Sequence, residues 1–477
     1  MPFARILRYS LLMGASQVVQ SLAGFARNKL VAILVGPGGV GLLGLFSTFT
    51  MNVSTLCGCG IGVAGVRLVA SAPPEERPAK VVAVRRLGAA LGWLALVATL
   101  AAFVPYARVT FGSDRFDLVM LIAGLAAPCV VMTATWTALL LAADEGRLVA
   151  RSQMISSVVG LLLGAPLIWL YGEKGIAGSF LVAALALAFS TWRAAVRRCP
   201  PGAGSAGRPD LRALLHIGGA FMVGEFFGQL AAYVARLVVV RAHGADTAAG
   251  LADVGFYQAA YAATGILPGF VFGAMGTDFY PRVSSAGSDG EAAEITEKQV
   301  QAALLMALPG LVGILALSHQ LIGWLYAPTF APAGPLMVWF AWAIFFNLLG
   351  WPLSYWLTAR AEPGRVLAVK LLTNALLPLG TFLLMPRYGL MGAAAAYFLS
   401  NALFAVLALV LLRRRLGRWL EPRTAGWALG AAGGLLAAQW FIGTYAASPL
   451  RFLPVVLATV ACGVAYLRLT RREQASS

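Results

Sequence analysis

The sequence predicts an all-α polytopic membrane protein with about 14 transmembrane helices. Of its 477 residues, 60% are hydrophobic and 12% are charged, whereas about 25% of residues are charged in a soluble domain. The charges cluster in short patches between apolar stretches of roughly 20 residues, the length that crosses a hydrocarbon core. The alternation typical of membrane-spanning strands is absent, so the spans are predicted to be helices, which satisfy their own backbone hydrogen bonds in lipid.

The predicted spans follow one another with short connections. The first run of apolar residues extends beyond the length of a signal peptide, so it is predicted to be a retained first span. The fourteen spans lie near 10–35, 39–66, 87–105, 117–142, 152–171, 175–195, 213–240, 254–281, 300–325, 333–358, 366–385, 389–412, 424–442 and 452–467.

The distribution of basic residues predicts the orientation. With both termini in the cytoplasm, 27 of the 36 Lys and Arg residues fall in inside segments and six in outside loops. This asymmetry in short loops follows the positive-inside rule. The net charge of +17 therefore indicates membrane topology and contact with anionic lipid, and it does not require nucleic acid as a partner.

An internal repeat relates span 1 and span 2 to span 7 and span 8. Gly41 lies 26 residues before Arg67, and Gly255 lies 27 residues before Arg282. An offset of six spans makes the halves parallel repeats, an architecture that places transported substrates between the halves. The predicted division is an N-terminal lobe (1–198, spans 1–6), a cytoplasmic linker (199–212), a C-terminal lobe (213–415, spans 7–12), and spans 13–14 with a cytoplasmic tail (416–477).

Basic residues inside the spans are the first candidates for a binding site, because a charge in hydrocarbon needs a cavity or a partner. Arg27 lies nine residues before Gly36, which corresponds to roughly 14 Å along a helix. Lys29 and Arg236 are closer to the outer ends of their spans, so snorkelling to the interface is an alternative. Arg67 and Arg282 are expected at the cytoplasmic ends, where anchoring in the interface competes with substrate binding.

Two spans that the repeat makes equivalent carry polar stripes along one helix face. These stripes predict a hydrophilic cavity between the halves, and polar contact between helices is the rival explanation. The stripe of span 7 comprises Glu225, Gln229, Tyr233 and Arg236, and that of span 1 comprises Gln17, Gln20, Ser21, Gly24 and Asn28.

Acidic residues are rare within the spans. Glu225 and Asp278 are candidates for proton or sodium coupling, although Asp278 and Arg282 are four residues apart and suit a local ion pair. The excess of Arg and Lys over acidic residues favours an anionic substrate, and Arg suits phosphate through bidentate hydrogen bonds. No cofactor and no metal are expected, since the five cysteines lack the spacing of a metal site. Without a nucleotide-binding loop or a catalytic cluster in the short loops, an enzyme is not predicted.

Several short motifs resemble a known family. They are Asn28–Ala32, Gly36–Gly41, Gly255–Gln258 and Asp278–Arg282. In order and spacing they resemble lipid-linked oligosaccharide flippases of the MOP (MATE-like) exporter superfamily, above all the Wzx-type O-antigen translocases. The resemblance covers roughly residues 5–415.

The resemblance implies two six-helix bundles in a V shape around a cationic central cavity in the bacterial inner membrane. The implied substrate is an undecaprenyl-pyrophosphate-linked oligosaccharide of O-antigen or lipopolysaccharide biosynthesis. Pyrophosphate would bind the basic residues and sugars the polar stripes, and a polysaccharide polymerase with its chain-length machinery would be partners. Spans 13 and 14 would either hold a lipid groove or pack against the second lobe.

Two alternatives remain at this point. A MATE-type cation-coupled drug exporter shares the superfamily, but it would be expected to carry acidic residues within the first half. A membrane-embedded polysaccharide polymerase or ligase would need a sizeable periplasmic loop with catalytic residues.

Overall fold

The computed structural model describes residues 3–199, 211–359, 363–446 and 448–476, and in this part of the chain it contains helices and no strand. The helices of the first part are α1 (Phe3–Leu34), α2 (Pro37–Gly58), α3 (Ile61–Ala70), α4 (Arg77–Phe111), α5 (Asp117–Gly124), α6 (Ala126–Ala142), α7 (Gly146–Tyr171), α8 (Glu173–Arg198) and α9 (Leu211–Ala242). They are followed by α10 (Ala248–Thr264), α11 (Ile266–Ser285), α12 (Asp289–Leu325), α13 (Gly334–Ala359), α14 (Pro363–Tyr388), α15 (Leu390–Leu416), α16 (Pro422–Thr444) and α17 (Leu453–Ser476), with short 3-10 turns at Pro328–Ala333 and Pro449–Phe452.

Every span predicted from the sequence coincides with one helix or with two consecutive helices. Within the described residues, eleven segments are long and apolar enough to cross a membrane. The other three predicted spans coincide with α1, with α10 followed by α11, and with α17. The prediction of an all-α polytopic membrane protein is therefore confirmed.

Three spans are interrupted, which the hydropathy pattern did not predict. Two of the breaks lie four residues before a proline: α5 ends at Gly124, before Pro128, and α10 ends at Thr264, before Pro268. Proline has no N–H to donate to the carbonyl four residues earlier, so that carbonyl loses its helical partner. The third break, between α2 and α3, lies at Cys59 and Gly60, which both adopt left-handed conformations.

Threonine side chains donate to two carbonyls at the break between α5 and α6, including the Gly124 carbonyl that Pro128 leaves without a helical partner. The Oγ1 of Thr50 on α2 donates to the carbonyl of Ala123 at 2.9 Å, and the Oγ1 of Thr99 on α4 donates to that of Gly124 at 3.2 Å. Both threonines are fully buried. A broken helix is tolerated in lipid when neighbouring side chains supply the missing hydrogen bonds, so these threonines fix where α2 and α4 meet α5.

The described chain divides into two compact units, Met1–Phe256 and Tyr257–Ser477. The first unit includes α9 and the beginning of α10, and α9 packs against α2, α3 and α4. The linker at 199–212 was predicted from its Gly, Pro and Ser content and stays a prediction, and residues 200–210 of it lie outside the described part of the chain.

Close packing in the first unit depends on glycines that the repeat makes equivalent. A Cβ atom on Gly41 would clash with the carbonyl oxygen of Leu251, and one on Gly255 would clash with the carbonyl oxygen of Pro37. The start of α2 and the middle of α10 therefore cross in backbone contact. Small residues permit such close approach between membrane helices.

In the second unit, a buried carboxylate attaches the segment before α16 to α12. Glu297 is 1% exposed, accepts a hydrogen bond from Arg418 at 3.0 Å, and also accepts one from the backbone N–H of Glu421 at 2.8 Å. One turn further along α12, Gln301 donates to Thr424 at 2.7 Å. These contacts fix α16 to the core of the second unit.

Candidate functional site

The polar stripe of α9 begins at its exposed side and ends in the interior of the first unit. Glu225 is exposed. It accepts a 3.1 Å hydrogen bond from Gln229, which lies one turn later on the same helix. Tyr233 and Arg236 are both 5% exposed. The stripe is therefore not uniformly accessible: its first part is open, and its second part is enclosed by α2 and α4.

Tyr233 is held by α4, through residues that the sequence analysis did not single out. Its hydroxyl shares a 2.9 Å hydrogen bond with the Oγ1 of Thr110. Its ring stacks on that of Tyr106 at a centroid distance of 4.3 Å, and Tyr106 in turn lies 4.5 Å from Phe49 on α2. Tyr106 lies one residue beyond the third predicted span, 87–105, so the search for polar residues within spans did not mark it.

Two arginines of α9 donate hydrogen bonds to backbone carbonyls close to Tyr106 and Tyr233. Arg236 donates from its guanidinium to the carbonyl of Ala232, one turn earlier, at 3.0 Å. Arg241, which is exposed, donates to the carbonyl of Val109 on α4. Arg236 and Arg241, near the end of α9, thus contribute positive charge beside the tyrosine cluster of Tyr106 and Tyr233.

The polar stripe of α1 has a different environment. Gln17 is exposed, while Gln20 is half-buried and donates to the Oε1 of Gln153 on α7 at 3.3 Å. Gln153 was not predicted as a site residue. The contact joins α1 to α7 about two turns before Arg27.

Arg27 and Asn28 carry buried polar atoms that lack partners. Both residues are half-buried, and neither the Nε of Arg27 nor the Oδ1 of Asn28 has a hydrogen-bond partner among the residues that the structure describes. The neighbouring Lys29 is exposed and has an interaction of its own. A donor with positive charge and an acceptor therefore lie at consecutive positions of α1, both buried and without a partner among the described residues.

The remaining predicted residues lie elsewhere. Arg67, in the last turn of α3, and Arg282, in the last turn of α11, are exposed. These positions suit the anchoring role that the sequence analysis gave as the alternative to substrate binding. The side chain of Asp278 lies outside the described residues. The structure thus brings Tyr233 together with α4 and Gln20 together with α7, while Arg67 and Arg282 lie at helix ends.

The His, Cys, Asp and Glu side chains are the potential metal ligands among the described residues. No group of three or more His, Cys, Asp or Glu side chains there is arranged to hold a metal ion. The five cysteines are free, and Cys57, Cys199 and Cys462 are buried.

Solved structures with the same arrangement of helices define the class of this fold. A lipid II flippase, MurJ, in an inward closed conformation superposes with a TM-score of 0.72 at 13% identity, over 97% of this chain and 99% of that one. An inward-facing multidrug resistance MATE family transporter of the MOP superfamily gives a TM-score of 0.67 at 16% identity, over 86% of this chain and 98% of that one. The fold is that of the MOP-superfamily exporters.

The chain belongs to the polysaccharide biosynthesis protein family, whose model matches residues 6–286, more than half of its length. Over 185 residues it is 31% identical to the lipid III flippase of Escherichia coli (strain K12). That alignment covers 38% of this chain and 43% of the flippase, so it spans less than half of the curated relative. The predicted MOP-type fold and the predicted link to polysaccharide biosynthesis are confirmed.

Proposed function

We propose that this protein is a flippase that moves an undecaprenyl-pyrophosphate-linked oligosaccharide from the cytoplasmic to the periplasmic leaflet of the inner membrane. It acts by alternating access of a cationic cavity, and it transports its substrate without changing it chemically. The observation that carries the proposal is the unpartnered guanidinium Nε of Arg27, buried inside a membrane-spanning helix of a polysaccharide biosynthesis protein.

The Nε of Arg27 is a buried donor whose hydrogen bond is unmade in the described residues. Leaving a buried donor without a partner costs about 1–3 kcal/mol, and more for a charged group. A pyrophosphate removes this cost, because its oxygens accept charge-assisted hydrogen bonds from guanidinium. The adjacent Oδ1 of Asn28 lacks a donor, and a sugar hydroxyl supplies one. The two neighbouring residues therefore suit the junction between pyrophosphate and the first sugar.

The second part of the proposed binding surface is the stripe of α9. Arg236 adds a second cation, and Gln229 with the exposed Glu225 offers donors and acceptors for sugar hydroxyls. The relation to the lipid III flippase supports a lipid-linked substrate of this kind. O-antigen of lipopolysaccharide is the glycan that we propose, with a polysaccharide polymerase and its chain-length machinery as partners that receive it.

The hydrocarbon tail of the substrate has a candidate site in the second unit. Helices α12, α16 and α17 line an apolar depression of about 420 Å³. Its walls include Leu308, Phe441 and Leu457, and it adjoins a second depression of about 400 Å³ that reaches Arg423 and Trp427. Of the two roles considered for the last spans, this surface favours the lipid groove.

The test is translocation of an undecaprenyl-pyrophosphate oligosaccharide into everted inner-membrane vesicles, with and without this protein. Protein-dependent transfer to the lumenal leaflet is the expected result. The matched variants are Arg27→Ala, expected to abolish transfer, and Arg86→Gln, which removes one charge from an exposed position on α4 and is expected to leave transfer intact.

Two outcomes would contradict the proposal. Absence of transfer with several glycans, while the protein is correctly inserted, would favour a drug-type exporter, and cation-coupled efflux of a drug would then be measured in the same vesicles. Wild-type transfer by Arg27→Ala at normal protein level would remove Arg27 from the binding site.

A further inference from the structure

A second cationic feature lies in the first unit, on the pair of helices formed by α7 and α8. Between them runs a groove of about 610 Å³, a volume within the range of ligand sites in proteins. Its lining combines arginines with apolar side chains. We call it the α7/α8 groove and define it by Arg151, Ile155, Phe189, Arg193, Arg197 and Arg198.

The groove follows from the sizes of the side chains along the two helices. Where α7 and α8 touch, the residues are small: a Cβ on Gly160 would lie 2.8 Å from that of Ala183, and one on Gly164 would lie 2.9 Å from that of Ser179. Towards the other end of the pair, Ser190 donates to the carbonyl of Ser152 at 3.4 Å. These small residues keep the helices adjacent, and the longer side chains beside them form the walls of the groove.

The charges in the groove are unbalanced. Arg198 forms a 3.5 Å ion pair with Glu145. Arg151, Arg193 and Arg197 have no acidic partner within ion-pair distance among the residues that the structure describes, and all three are exposed. Exposed cations at the end of a transmembrane helix attract an anionic surface.

The apolar part of the groove indicates that its environment is lipid. Ile155 is 46% exposed and Phe189 is 57% exposed, and Leu162, two turns beyond Ile155 on α7, is 66% exposed. Large apolar side chains can point away from the protein within the membrane, because the acyl chains of lipids then cover them. Three cations at one end and exposed apolar side chains at the other match the headgroup and acyl chain of a phospholipid.

We infer that the α7/α8 groove binds an anionic glycerophospholipid of the bilayer. Its phosphate lies among Arg151, Arg193 and Arg197, and an acyl chain runs along Ile155 and Phe189. In the proposed orientation this end of α7 and α8 faces the cytoplasm, whose leaflet carries anionic lipid. The groove is separate from Arg27 and from the tyrosine cluster, so the inference stands whether or not the proposed transport function is correct.

Native mass spectrometry of the purified full chain tests the inference. The protein is incubated with phosphatidylglycerol, phosphatidylcholine and undecaprenyl pyrophosphate in separate samples. The groove variant is Arg151→Gln with Arg193→Gln, and the control is Arg86→Gln with Arg414→Gln, which removes the same charge from exposed positions outside the groove. Circular dichroism and a monodisperse elution profile establish that both variants are folded.

The expected result is preferential binding of phosphatidylglycerol over phosphatidylcholine, weakened about 30-fold in the groove variant and by less than about threefold in the control. The factor follows from roughly 1 kcal/mol for each cation near an anionic surface, since 1.4 kcal/mol is tenfold. Unchanged phosphatidylglycerol binding by a folded groove variant would overturn the inference, as would an equal loss in the control. Loss of undecaprenyl pyrophosphate alone would assign the groove to the transport substrate instead.

Discussion

Helices α1 and α9 hold equivalent places in the sequence repeat and both carry polar stripes, yet their side chains have different environments. On α9, Tyr233 is enclosed and hydrogen-bonded to Thr110, and Arg236 donates to the carbonyl of Ala232. On α1, Arg27 and Asn28 each retain a buried atom without a partner in the described residues. The two stripes therefore differ in how far contacts within the protein satisfy their polar atoms.

Polarity inside a span therefore does not by itself mark a binding site. Cavity lining and helix contact were the two explanations for these stripes. The contacts of Tyr233 are those of helix packing, whereas the Nε of Arg27 and the Oδ1 of Asn28 are buried without a partner among the described residues. Substitutions in the two helices should consequently differ in whether they affect transport or stability.

The largest effect is expected for Arg27→Ala. Removing the guanidinium should lower translocation by about 100-fold or more if it pairs with the substrate pyrophosphate, because truncating one partner of a buried charge pair costs roughly 2–5 kcal/mol. Protein level and thermal stability should stay at the wild-type values. Initial rates in everted vesicles measure the loss, and Arg27→Lys, which keeps the charge, should restore part of it. Equal rates for the Ala and Lys variants would show that charge at this position is not used.

A smaller loss of transport, accompanied by a loss of stability, is expected for Arg236→Ala. This side chain is buried and hydrogen-bonded within α9, so its removal should lower translocation by about tenfold or more and the free energy of unfolding by about 1–3 kcal/mol. Thermal unfolding in detergent separates the two effects. Full stability with abolished transport would place Arg236 in the same category as Arg27.

A still smaller loss of transport is expected for Glu225→Gln, which tests ion coupling. If Glu225 binds the coupling proton, translocation should fall severalfold and should no longer respond to an imposed proton gradient. The hydrogen bond with Gln229 can persist in the amide, so stability should change little. Retained transport that still responds to the gradient would remove Glu225 as the coupling residue.

The smallest effect is expected for Tyr233→Phe. Loss of the hydroxyl should lower the free energy of unfolding by about 0.5–1.5 kcal/mol, with translocation within about twofold of wild type. Because Thr110 is the partner, Thr110→Val should cost a similar amount, and the double variant should cost less than the sum. Additive costs would mean that the two hydroxyls are not coupled.

Hydropathy and charge alone were sufficient to predict the class and the helices of this protein. The fourteen predicted spans coincide with the observed helices because burial in hydrocarbon imposes both a length and a lack of charge, and both can be counted in a sequence. The breaks in three spans were not predicted. Many prolines here, such as Pro105 and Pro166, lie inside continuous helices, so a break also depends on neighbours such as Thr50 and Thr99.

Residue type and spacing along one chain were enough to establish the membrane class, the approximate position of each span, the family resemblance and the candidate status of Arg27. Only the tertiary structure decided which polar atoms are satisfied. Thr110, Tyr106 and Gln153 are distant in sequence from the residues that they contact, and a hydrogen bond forms only when two helices bring donor and acceptor within about 3 Å. For the same reason, only packing could join the arginines of α7 and α8 into one groove.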